Sequence, residues 1–101
     1  MINQQALCDS IAKATIRTDD GEEWVLEYFL QTKGDSSEFF GLRVDKSTPD
    51  GVLVERSETA AISKCRDTVM TMINAFSKGS VPPSVLPEMT EEWCTVNGIA
   101  I

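Results

Sequence analysis

From Ile62 to Gly79 the apolar positions Ile62, Cys65, Val69, Met72, Ile73 and Phe76 recur three and four residues apart. That spacing matches a helix of about 3.6 residues per turn. The segment ISKCRDTVMTMINAFSKG therefore predicts a helix with one apolar stripe, and Arg66, Asp67, Thr71, Asn74 and Lys78 fall on its other side. Ser63 is placed to cap the first amides, Lys78 lies near the negative C-terminal end, and Gly79 suits a left-handed stop. Pro82 and Pro83 forbid continuation. A helix with one such stripe buries it against another layer, and the preceding sequence has the pattern of a sheet.

That sheet begins with an alternating stretch from Ser10 to Arg17, the turn Thr18-Asp19-Asp20-Gly21, and a strand from Glu22 to Gln31. A type I turn with a glycine bulge sets Ile16 opposite Trp24, Ala14 opposite Leu26 and Ala12 opposite Tyr28. The same register places Arg17 opposite Glu23 and Lys13 opposite Glu27, so the apolar and charged patterns agree. After a polar loop from Thr32 to Ser37, EFFGLRVDK reads as a third strand with Phe40, Leu42 and Val44 on one face. Matching faces predicts Leu30 opposite Phe40, Tyr28 opposite Leu42, Leu26 opposite Val44, Glu27 beside Arg43, and Phe29 over Gly41. Ser47-Thr48-Pro49-Asp50-Gly51 is a second turn, and Val52 to Arg56 returns as a fourth strand. Carrying over the first hairpin's register would set Asp45 against Glu55, a repulsive pair, so the fourth strand's register is left open.

Beyond the main helix, Val85, Leu86, Met89 and Trp93 keep helical spacing while Glu88, Glu91 and Glu92 share the other side, predicting a short helix from about Ser84 to Cys94. Pro87 fits there only in the first turn, where its missing amide costs nothing. The expected fold is α+β: a four-stranded antiparallel β-meander followed by two helices packed on one face. Residues 1–9 are expected to be weakly ordered, 10–95 to form one domain, and 96–101 to be a tail.

Composition narrows the function more than it names one. Lys and Arg total nine against sixteen Asp and Glu, with no His, for a net charge of −7. Phosphate backbones are repelled by that field, which argues against direct nucleic-acid binding. No apolar run approaches the roughly 20 residues that span a bilayer, and the start MINQQALCDS has neither a basic opening nor an apolar signal core. A cytoplasmic protein without membrane attachment is expected. The cysteines Cys8, Cys65 and Cys94 are widely spaced, with no CxxC pair and no histidine to complete a metal site. Reduced thiols are expected, with Cys65 filling core from the helix stripe.

The strand around Tyr28 and Phe29, the step Phe40-Gly41-Leu42, the helix beginning near Ser63, then Val81, Pro83 and the ending Glu91-Glu92-Trp93 resemble a family of small bacterial proteins catalogued only as a domain of unknown function. The resemblance covers about residues 10 to 94. It implies strands followed by helices in a cytosolic bacterial protein, with no activity, ligand or functional residue attached. Pro82 and Pro87 depart from the family's pattern.

Without histidine there is no imidazole base and no conventional serine triad, and neither GxxxxGK[ST] nor GxGxxG occurs. No catalytic residue, cofactor or metal ligand is assigned, and the chain reads as a non-enzyme. The carboxylates Asp19, Asp20, Glu22 and Glu23 do not match a calcium loop and read as a solvated turn with Glu23 paired to Arg17. Two surfaces stand out as candidate interaction sites. On the sheet's reverse face Val25, Phe29 and Phe39 alternate with charges, and are either open to a partner or second copy, or covered by the last helix or the tail. On the last helix Glu88, Glu91 and Glu92 are either simply wet or present a row of charge to a basic partner. The leading expectation is a non-enzymatic protein-interaction or regulatory module. The alternative is an acidic inhibitor or nucleic-acid mimic binding a basic protein, and a third is a small-ligand or thiol enzyme.

Overall fold

The computed structural model describes residues 8–33 and 38–98. Four antiparallel strands run in chain order across one sheet: β1 (Cys8–Arg17), β2 (Glu23–Lys33), β3 (Phe39–Ser47) and β4 (Leu53–Glu58). Helix α1 (Arg66–Lys78), a single 3-10 turn over Pro83–Val85 and helix α2 (Leu86–Val96) follow. This is the expected α+β meander with its helices after the sheet. Residues 1–7 of the expected N-terminal segment, 34–37 of the polar loop and 99–101 of the tail lie outside the described residues, and Cys8 and Asp9 already belong to β1.

Both Asp-Gly turns close in the same way. Thr18 N–H donates to Glu22 O at 2.8 Å and Gly21 N–H to Thr18 O at 3.0 Å; Thr48 N–H donates to Val52 O and Gly51 N–H to Thr48 O, both at 2.9 Å. Gly21 and Gly51 adopt φ of +89° and +94°, a region that side chains rarely tolerate. In the first hairpin this sets the expected register, with Ile16 opposite Trp24, Ala14 opposite Leu26 and Ala12 opposite Tyr28.

The second pairing is displaced by two residues from the expected one. Leu30 lies opposite Leu42 and Tyr28 opposite Val44, and the strands continue to Lys33 and Phe39. A two-residue displacement keeps every side chain on its own face, so hydrophobic alternation cannot distinguish the registers. Phe29 consequently faces Arg43, and Gln31 rather than Phe29 lies opposite Gly41. In the third pairing a bulge falls between Lys46 and Ser47: Ser47 pairs with Leu53, but Lys46 pairs with Glu55 and Asp45 with Arg56. The extra residue, Val54, converts the repulsive Asp45/Glu55 match into an attractive Asp45/Arg56 one.

One face of the sheet and the helices share the core. Leu26, Tyr28, Leu42, Val44, Val69, Met72, Ile73 and Leu86 are fully buried, with Leu30, Ile62, Phe76, Val81 and Cys94 nearly so. Phe40 is half-buried and packs against the same cluster. Trp24 stands at its margin, with the Lys46 ammonium 4.6 Å from its ring centroid.

Helix α1 starts at Arg66, later than the apolar spacing indicates. Ile62 and Ser63 remain extended beside β3, where Phe40 N–H donates to Ser63 O and Ile62 N–H to Phe40 O, each at 2.8 Å. Ile62 is therefore buried as an appendage of the sheet. Cys65, expected in the core, is instead the exposed N-cap residue, and the Ser63 hydroxyl accepts from the Cys65 amide at 2.9 Å ahead of the helix. At the other end Gly79 has φ −89° and Ser80, at +53°, takes the left-handed position. Pro87 sits in the first turn of α2, the one place it fits. No helix among the described residues is long and apolar enough to cross a membrane.

Candidate functional site

On the face of the sheet turned away from the helices, strand pairing arranges the side chains in rows. Arg17 and Glu23 lie beside the first turn; Thr15, Val25, Ser47 and Leu53 form the first row that crosses all four strands; Lys13, Glu27, Asp45 and Arg56 form the next; Ser10, Phe29, Arg43 and Glu58 the third. Gln31 and Gly41 follow, then Lys33 and Phe39. No described helix packs on this face, and α2 does not wrap round to it.

The candidate residues Val25, Phe29 and Phe39 all lie here, each half-buried. Two of them carry a cation on the ring. The Arg43 guanidinium lies 4.2 Å from the Phe29 centroid and the Lys64 ammonium 5.3 Å from that of Phe39. Such contacts shield aromatic surface while leaving a charged exterior. The patch is therefore apolar groups under cations, rather than bare aromatic rings.

Around them every carboxylate is engaged. Arg56 Nε donates to Asp45 Oδ1 at 2.8 Å and its Nη2 to Oδ2 at 3.1 Å, and Arg43 Nε lies 3.1 Å from the same Oδ1. Glu58 Oε1 accepts from Gln31 Nε2 at 3.3 Å and lies 3.4 Å from Lys33 Nζ. Arg17 Nη2 donates to Glu23 Oε2 at 2.6 Å, as expected. Lys13 lies opposite Glu27 as predicted, but Glu27 takes its hydrogen bond from the Ser10 hydroxyl at 2.5 Å. Asp45 is the pivot of this network, buried between two arginines. Its partner Arg56 is held above the ordinary guanidinium value, chiefly by the Asp45 hydrogen bond.

Gly41 lies beneath a crossing chain. A Cβ there would stand 2.8 Å from Thr59 Oγ1 and 2.9 Å from both Ala60 O and Lys33 Cε. The Thr59 hydroxyl accepts from Leu42 N–H at 3.1 Å, and Thr59 N–H donates to Leu42 O at 2.9 Å. The chain thus leaves β4 over the bare backbone of β3 on its way to α1.

Glu88, Glu91 and Glu92 are exposed together on the outer side of α2, along a shallow depression shared with Pro87, Thr95 and Val96. Unlike Glu23, Asp45 and Glu58 of the sheet they make no ion pair with a described residue. In the first turn the Thr18 hydroxyl bonds Asp20 and lowers the Asp20 carboxyl below its ordinary value. Cys65 stands at the start of α1, where the Thr68 hydroxyl, then the Thr68 and Asp67 amides, lower its thiol below the ordinary value without forming a full capping bond. Burial pushes the Cys94 thiol up.

A family model described as a family of unknown function, DUF6514, matches residues 9–96. The chain belongs to that family. No curated protein and no solved structure matches it. The match begins at the second residue of β1 and ends at the last residue of α2, so the DUF6514 region takes in all of the sheet but Cys8, and both helices.

The sequence of this DUF6514 chain places a fourth strand from Val52, within one residue of β4, but the apolar surface exposed at its start is not among the candidate sites. Val52, Leu53 and Val54 are among the chain's most exposed large apolar side chains, and Leu53 extends the Val25 row to the edge of the sheet. Three successive apolar residues in a strand cannot all point inward, and that was the available signal.

Proposed function

We propose that this DUF6514 chain is a non-enzymatic protein-interaction module of the cytoplasm that engages a protein partner through the reverse face of its sheet. One observation carries the reading: that face is covered by no described helix, yet it holds Val25, Phe29, Phe39 and Leu53 among fixed, paired charges. Apolar groups ringed by prearranged ions suit a recognition surface, since the charges lose little freedom on binding and discriminate between partners. The net charge of −7 favours a protein over a nucleic acid as the partner. The test is Phe29→Ala and Phe39→Ala, each checked for an unchanged circular dichroism spectrum, in pull-down and sizing experiments. Loss of the partner in both variants supports the reading, and unaltered capture by both removes it.

The unpaired row Glu88, Glu91 and Glu92 favours a second reading, an acidic inhibitor that occupies a basic protein. Its binding would be salt-sensitive, because such contacts are screened over roughly 8 to 10 Å at physiological ionic strength. Reversing the three charges to Lys abolishes capture under this reading and leaves it untouched under the first.

A further inference from the structure

β4 is an outer strand of the sheet: β3 pairs with one of its edges and no described strand with the other. At its start Val52, Leu53 and Val54 are 61 %, 47 % and 52 % exposed. Open edges are ordinarily guarded by Lys, Pro or an inward-pointing charge. The stretch Gly51 to Val54 has none, whereas the opposite edge, β1, exposes Asp9, Lys13 and Arg17. The backbone at this point is also available. Thr48 N–H donates to the carbonyl of Val52, which turns Val52 toward β3. Successive strand residues alternate, so Leu53 offers its own N–H and C=O to the open side.

We propose that this edge is a self-association site, with β4 pairing antiparallel to β4 of a second copy about a two-fold axis at Leu53. The sequence around that axis is self-complementary. Asp50-Gly51-Val52-Leu53-Val54-Glu55-Arg56, laid antiparallel on itself, sets Leu53 against Leu53, Val52 against Val54, and Arg56 toward Asp50. A two-fold interface requires just such a match of one patch with itself. Asp50 has no ion-pair partner among the described residues, and Arg56, while holding Asp45, keeps 43 % of its side chain exposed to receive a second carboxylate. The bulge at Val54 limits the run of paired backbone, so the dimer is a weak, concentration-dependent one. Leu53 borders both surfaces, but the edge contact includes neither Phe29 nor Phe39, and the inference does not rest on the function proposed above.

Sedimentation velocity of the full chain over rising concentration, with amide exchange followed at Leu53, tests it. The expected result is a two-chain species whose growth slows Leu53 exchange. Val52→Lys and Val54→Lys each return the protein to a single chain with unchanged circular dichroism and thermal midpoint, Asp50→Arg weakens the pairing, and Phe29→Ala does not. A chain that stays single at every concentration overturns the inference. So does a dimer that survives both Lys variants, or one whose formation leaves Leu53 exchange unaltered, since the contact would then lie elsewhere.

Discussion

The Tyr28 hydroxyl donates to the carbonyl of Val81 at 2.9 Å, joining the centre of the sheet to the chain between α1 and α2. Both residues are buried, and the bond fixes where the helical layer turns back over the sheet. Tyr28→Phe keeps the ring and removes the donor, leaving a buried carbonyl unpaired. The expected loss is about 1–3 kcal/mol of unfolding free energy, read from urea denaturation.

Burial raises the Tyr28 phenol from 10.0 to about 12. The folded state therefore keeps a proton that the unfolded state releases first. The stability tied to this group is intact below pH 10 and falls as pH rises from 10 toward about 12. Denaturation followed across that interval should steepen for the parent protein relative to Tyr28→Phe. Parallel curves would mean that the phenol ionises equally in both states.

Asp45 holds Arg56 and Arg43 together on the reverse face. Asp45→Asn leaves both guanidinium groups without their charged partner. Arg56 is half-open to water, which discounts the loss to about 1–2 kcal/mol. A double-mutant cycle with Arg56→Ala should give a coupling energy well above that of the exposed Arg17–Glu23 pair.

Gly41→Ala forces a methyl group against Thr59 Oγ1 and the Ala60 carbonyl, both closer than real Cβ contacts allow. Because Ala60 contributes backbone, the chain leaving β4 has to shift. A destabilisation of about 1–3 kcal/mol is expected by thermal or denaturant unfolding, with amide exchange accelerating at Thr59 and Leu42.

Cys65 and Cys94 should alkylate in a fixed order. Cys65 is exposed and its thiol is lowered chiefly by the Thr68 hydroxyl, whereas Cys94 is buried and its thiol is raised by that burial. Iodoacetamide near neutral pH should modify Cys65 in the folded protein and reach Cys94 only on unfolding, as mapped by peptide mass spectrometry. Thr68→Val should slow the Cys65 reaction at neutral pH and leave the order otherwise unchanged.

Element types and faces were legible in the residues alone. Alternation in β1, β2 and β3, the two Asp-Gly turns, and the three-and-four spacing of Val69, Met72, Ile73 and Phe76 each depend on neighbours a few positions away, and the structure agrees with each. The first hairpin's register followed too, because a short turn with a glycine at positive φ leaves one pairing that serves both the apolar and the charged side chains. The partners of β2 and β3 were decided only in three dimensions: two registers differing by two residues bury the same face, and the contacts of Gly41 with Thr59 and Ala60 accompany the one adopted. The bulge at Val54, the extended course of Ile62 and Ser63 beside Phe40, and the cations on Phe29 and Phe39 likewise involve partners distant in sequence. Local periodicity records which side of an element is apolar. It does not record which distant group lies against it, and that is why Cys65 emerged at the surface and the start of β4 remained open.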